Sequence, residues 1–139
     1  MRDIDEITGT IIDAAVKLHR DLGPGLLESV YEAVLARCLE RLGLEVERQK
    51  LVGFEYDGLR FNEGFRVDLL VGGCVVVELK SVEKVAPVHG KQLLTYLRLL
   101  NLPVGLLLNF GAPIMKDGLH RVVNNFLPCG ESRLRVNLR

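Results

Sequence analysis

Between residue 3 and about residue 20 the apolar side chains Ile4, Ile7, Ile11, Ala14, Ala15 and Leu18 keep helical spacing, which predicts a first helix. The run Leu22-Gly-Pro-Gly25 breaks it. A second helix is predicted from about 26 to 42. Leu27, Val30, Tyr31, Val34, Leu35, Cys38, Leu39 and Leu42 form its apolar stripe, and Gly43 sits where a helix ends. Both helices are expected to pack on a sheet.

The period then changes. Residues 44–52 partly alternate, with charges at Glu45, Glu47 and Arg48. Residues 54–61 read as a hairpin around an Asp57-Gly58 turn. Residues 65–80 read as a second hairpin interrupted by Gly72-Gly73. A third helix is predicted from 87 to about 101, with Leu93, Leu94, Leu97 and Leu100 apolar. The continuous apolar run at 104–110 has the length of a strand covered on both faces. Residues 119–126 read as a last strand. The basic, amphipathic tail at 133–139 reads as an edge strand or a frayed end. Two helices, a run of strands, a helix and further strands imply an α/β sandwich around one sheet.

The second hairpin carries charges where its neighbours are apolar. Asp68, Glu78 and Lys80 stand among Val and Leu residues. A buried charge is costly unless it is paired or bound to a metal. Two carboxylates on adjacent strands suit Mg²⁺ or Mn²⁺, with the Leu79 carbonyl as a further oxygen donor. A lysine beside them can orient an attacking water or offset phosphate charge. Glu78 and Lys80 are two apart and share a strand face. Register decides whether Asp68 joins them. A two-residue Gly72-Gly73 turn would set Asp68 opposite Val77 and turn it away. A three-residue loop, Gly72-Gly73-Cys74, or a bulge would set it opposite Glu78, and that is the expected arrangement.

A buried ion pair, or the solvated face of an edge strand, would also place these three charges. The flanking Val and Leu residues argue against the solvated face, and a buried ion pair stabilises little. His19, His89 and His120 have no mutual spacing that suggests a site.

A chain of 139 residues, 48% hydrophobic, fits one domain with a real core. Eighteen basic residues balance eighteen acidic ones, so any nucleic-acid binding must come from a local basic face. Lys84, Lys91, Arg98 and Arg121 are the candidates for it, although scattered charge commonly serves solubility alone. No apolar run reaches the roughly 18 residues of a membrane span, and the charged N-terminus is not that of a signal peptide. Three scattered cysteines, Cys38, Cys74 and Cys129, fit reduced thiols and a cytoplasmic location.

Asp68, nine intervening residues and Glu78-Leu79-Lys80 resemble the PD-(D/E)xK nuclease signature. Gly25-Leu-Leu-Glu28-Ser-Val-Tyr31 resembles the motif that names the GxxExxY proteins, a bacterial branch of that superfamily. Gln92-Leu-Leu-Thr-Tyr96 and Leu108-Asn-Phe-Gly111 are similar to the same branch. The resemblance runs from about residue 19 to 124. Val67 stands where the superfamily's name has a proline.

The resemblance implies a restriction-endonuclease-like fold, a central mixed β-sheet flanked by helices, over residues 1–139. It implies that Asp68 and Glu78 are metal ligands, that Glu28 joins them at the metal directly or through water, that Lys80 positions the water, and that Gln92 reaches the site or a phosphate. Tyr31 and Glu32 lie one turn on from Glu28 and share its side of the helix. Gln92 and Tyr96 share a face of theirs. Plainer roles are open for several of these residues. Glu28 in a first helical turn complements the helix dipole. Tyr31 lies on the apolar stripe, and Gln92 and Tyr96 can simply cover the sheet.

The implied activity is Mg²⁺- or Mn²⁺-dependent hydrolysis of phosphodiester bonds in DNA or RNA. With no room for a separate recognition domain, specificity would come from a partner, a homodimer or nucleic-acid structure. Two other classes stay open. One is a catalytically silent nuclease-fold module that binds nucleic acid or a protein. The other is a hydrolase acting on a small nucleotide.

Overall fold

The computed structural model describes residues 3–125 and the strand at 134–138. Cys129, and the predicted segment ends at 126, 133 and 139, lie outside the described residues. Helix α1 (Ile4–Leu22) begins at Asp3, whose side chain accepts the Glu6 N–H at 2.8 Å, and stops at Gly23, with φ 74°. Helix α2 (Glu28–Arg41) follows. Strands β1 (Val46–Tyr56) and β2 (Leu59–Val71) form one long hairpin. Its turn residues, Asp57 and Gly58, both have positive φ, as the tight primed turn demands. Strand β3 (Val75–Lys80), helix α3 (Pro87–Leu100), strand β4 (Val104–Asn109), a short helix α4 (Met115–Gly118) and strands β5 (Leu119–Val123) and β6 (Leu134–Leu138) complete the order.

The six strands form one mixed sheet in the order β5-β4-β3-β2-β1-β6. β3 and β4 are parallel, joined through α3; the other neighbours are antiparallel. The tail is the edge strand: β6 pairs with residues 52–56 of β1. Burial has two layers. Ile7, Ile11, Tyr31, Leu35 and Leu39 of α1 and α2 pack on Leu69, Val77, Leu79 and Leu108. Leu93 and Leu97 of α3 pack on Val67, Leu70, Val76 and Leu107 from the other side. Every residue of β4 is buried, as its unbroken apolar run requires.

The α2 stripe is narrower than its sequence suggests. Tyr31, Leu35 and Leu39 are buried, but Leu27, Val30 and Leu42 are exposed. Leu27 is the residue that caps the helix, and Leu42 closes it, so neither sits on the face turned to the sheet.

Candidate active site at the split between β2 and β3

The central hairpin has the three-residue connection. Val71 pairs with Val75, Leu70 with Val76 and Leu69 with Val77, so residues 72–74 form the loop and Asp68 comes opposite Glu78. The β2–β3 pairing ends there, and the two carboxylates take over from the backbone. The Asp68 N–H donates to Glu78 Oε2 at 2.9 Å. The Leu79 N–H donates to Asp68 Oδ2 at 2.9 Å. Each strand is held by the other strand's acid.

Alternation also breaks at this point. Leu69 packs under α1 and α2, whereas Val67 packs under α3, although residues two apart on a regular strand share a face. β1 turns with its neighbour. Arg48 reaches Glu32 of α2, while Val52 packs on the α3 side. Pairing runs Arg48 with Leu69 and Lys50 with Val67, so both strands twist at Gln49 and Asp68 without slipping register. Gln49 absorbs the turn with φ 49°, a left-handed conformation that non-glycine residues seldom adopt.

Glu78 is buried, with 9% of its surface exposed. Burial first, and the charge of Asp68 second, push its carboxyl up to about 9; the hydrogen bond from the Asp68 N–H, and after it the positive charge of Lys80, act the other way. No ion pair among the described residues joins Lys80 to either acid. A structural ion pair therefore does not account for the three charges. Lys80 follows Glu78 by two on a regularly paired strand and shares its face.

Glu28, in the first turn of α2, accepts the Ser81 N–H at 3.2 Å, and the Ser81 hydroxyl donates to the Leu26 carbonyl at 2.7 Å. The start of α2 is thus tied to the residue following Lys80. Tyr31 explains its own place in the motif. It is fully buried, stacks on Phe110 at 4.4 Å, donates its hydroxyl to the Gly23 carbonyl at 2.6 Å and accepts the Leu26 N–H at 3.1 Å. It pins the loop that delivers Glu28. A cleft of ≈ 470 Å³ lies between α2 and the split, lined by Glu28, Ser29, Glu32, Gln49, Asp68 and Leu79.

On the α3 side, Tyr96 stacks on Phe65 at 4.6 Å. Its hydroxyl is pushed up by burial, then by the charges of Glu78 and Asp68, while a side-chain hydrogen bond with Gln92 works the other way. Gln92, itself exposed, meets Tyr96 through that bond. Arg121 lies on β5 and pairs with Asp5 of α1 at 3.5 Å.

Asn109 shows why the Leu-Asn-Phe-Gly stretch matters physically. Its buried amide accepts the Val82 and Gly111 N–H groups at 3.0 Å each and donates to the Val82 carbonyl at 2.9 Å. The Phe110 N–H donates to the Lys80 carbonyl at 2.8 Å. Gly111 lies so close that a Cβ there would come within 2.1 Å of the Val82 oxygen. The loop after Lys80 is held from both sides.

The donor atoms around the split are all oxygen: the carboxylates of Asp68, Glu78 and Glu28 and the Leu79 carbonyl. That set suits a hard divalent cation; burial keeps the Glu78 carboxyl protonated well above its ordinary range, so a cation bound there would displace its proton. The carboxylates are not drawn into a tight cage. Among the described residues no three His, Cys, Asp or Glu side chains form a metal-binding group, because Glu28 is turned to Ser81 and each strand acid to a backbone N–H.

Three contributors were not singled out from sequence. Gln49 donates to Glu32 Oε1 and, at 3.3 Å, to Asp68 Oδ1. Arg48 grips Glu32 Oε2 with two N–H groups at 3.2 and 3.0 Å. Ser81 ties in Glu28. The available signal was the unbroken polar run Glu47-Arg-Gln-Lys50 inside a strand, where alternation fails.

Among the described residues no helix is long and apolar enough to cross a membrane. No curated protein and no solved structure matches the chain. A family model described as the PD-(D/E)XK nuclease superfamily matches residues 5–122. That span takes in both acid-bearing strands and the helices of Glu28 and Gln92; the chain belongs to the PD-(D/E)XK nuclease superfamily.

Proposed function

We propose that the protein is a divalent-metal-dependent nuclease of the GxxExxY branch, hydrolysing phosphodiester bonds in DNA or RNA from one domain spanning residues 1–139. Nucleases of the superfamily generally use divalent metals, and membership implies nucleic-acid binding. The observation that carries the reading is the reciprocal hold of Asp68 and Glu78 on each other's strands, which sets both carboxyl groups where the β2–β3 ladder ends.

Asp68, Glu78 and the Leu79 carbonyl would hold Mg²⁺ or Mn²⁺, with Glu28 joining from α2. A cation there supplies Lewis acidity toward a phosphoryl oxygen and makes a bound water more acidic. The chain's own groups do the rest. Lys80 places a positive charge beside the acids, where it orients the attacking water and offsets charge on the phosphate. Gln92 and Tyr96 face the same region from α3 and contact the phosphate or the nucleic acid. Tyr31 and Asn109 keep Glu28 and Lys80 in place. A homodimer would bring two such sites to a duplex. Free thiols at Cys38 and Cys74 fit a cytoplasmic location.

Cleavage of mixed DNA and RNA with Mg²⁺ or Mn²⁺ tests this reading. Activity should disappear in Asp68→Ala, Glu78→Ala and Lys80→Ala; cleavage that survives all three removes the mechanism. The balanced net charge and the engagement of Glu28 by the Ser81 N–H favour a second reading, a silent module that binds nucleic acid or protein in the same cleft. That reading predicts binding without metal-dependent cleavage.

A further inference from the structure

We propose that Gln49 is a positioning residue that fixes the Asp68 carboxylate; the inference rests on the metal-dependent reading above. The Gln49 amide nitrogen carries two hydrogens, and it faces two carboxylates, Glu32 Oε1 and Asp68 Oδ1. Only the nitrogen can sit there, because the amide oxygen would face two acceptors. Glu32 is a firm anchor. It is 6% exposed, and Arg48 holds its other oxygen with two N–H groups. Asp68 is consequently held at both oxygens, by Gln49 on Oδ1 and by the Leu79 N–H on Oδ2.

The backbone at Gln49 supports the assignment independently. A φ of 49° in mid-strand costs energy that glycine would avoid, and strain of this kind persists where the surroundings hold it for a purpose. The same twist lets Arg48 turn to α2 while Gln49 meets Asp68. Groups that orient ligating carboxylates commonly change metal affinity or turnover by about 10–100-fold when removed.

Gln49→Gly removes the amide and relieves the backbone strain, so it separates positioning from folding. Gln49→Asn, which tolerates a left-handed backbone but is one carbon shorter, is the second variant. Amide exchange in the metal-free protein reads the Leu79 N–H, which is protected by Asp68. We expect the Leu79 rate, relative to Val77, to rise about tenfold in both variants. Mn²⁺ binding by calorimetry should weaken about 10–100-fold, with thermal stability kept. An unchanged Leu79 ratio in both variants overturns the proposal. If the unsubstituted protein binds no Mn²⁺, the nuclease reading falls, while the exchange ratio still decides whether Gln49 positions Asp68.

Discussion

Asp68 and Glu78 accept each other's strand: the Asp68 N–H ends on Glu78 Oε2, and the N–H of Leu79, next to Glu78, ends on Asp68 Oδ2, both at 2.9 Å. The pair closes the gap where the β2–β3 ladder stops. It also buries the Glu78 carboxyl beside the Asp68 charge. The same contacts thus organise the site and load it with electrostatic cost.

Glu78 should make the metal-free protein less stable as pH rises. Its folded-state carboxyl lies near 9, above its ordinary value of 4.5. Below the ordinary value both states are protonated and its contribution is fully present. Between 4.5 and about 9 only the unfolded chain ionises, so stability falls through that window and then levels. Urea melts in a chelator from pH 5 to pH 9 should show the decline, and Glu78→Gln should flatten it. An equal slope in Glu78→Gln would assign the pH dependence to other groups.

Asp68→Asn should separate stability from activity. The amide oxygen can still accept the Leu79 N–H, while the charge that opposes Glu78 is gone. The new amide nitrogen would meet the Gln49 amide, a donor against a donor, which offsets the relief of charge, so in chelator at pH 8 stability should change by less than about 1 kcal/mol. Cleavage should be lost. Denaturant unfolding beside a cleavage assay checks both halves.

Tyr31→Phe keeps the stack on Phe110 but removes the bonds to Gly23 and Leu26. Stability should drop by about 1–3 kcal/mol, since a carbonyl and an N–H lose a buried partner. Thermal melts measure the loss. Cleavage should fall as well, through the looser loop that carries Glu28, and should be partly recovered at higher Mn²⁺ concentration.

Gly111→Ala should be among the most destabilising single substitutions. The new methyl would meet the Val82 backbone, which cannot yield as a side chain can. A loss above about 3 kcal/mol is expected. Wild-type stability in this variant would contradict the tight hold on the loop after Lys80.

Much of this was legible because particular residues leave little choice. Asp57-Gly58 accepts positive φ at two successive positions, so its hairpin is read directly. Ile7, Ile11 and Leu18 mark the buried side of α1 at helical spacing. The register of the central hairpin was a choice between two connections, and placing the acids together selected the longer one, which the coordinates have.

Other features depend on partners far along the chain. Nothing near Gln49 announces a left-handed backbone in mid-strand; it follows from the joint twist of β1 and β2 and from Glu32 and Asp68 on either side. Glu32 looks like one more helix carboxylate until Arg48 is brought against it. The exposure of Leu27 and Val30 depends on where α2 begins, and helix ends are set less sharply by periodicity than helix faces.

The most direct measurement is a calorimetric titration of the purified chain with Mn²⁺, run beside Asp68→Ala and Glu78→Ala. The account predicts saturable binding to the unsubstituted protein and its loss in both variants, with each variant still folded by circular dichroism. Equal binding in all three proteins, or none in the unsubstituted one, would contradict the claim that these two acids hold a divalent cation.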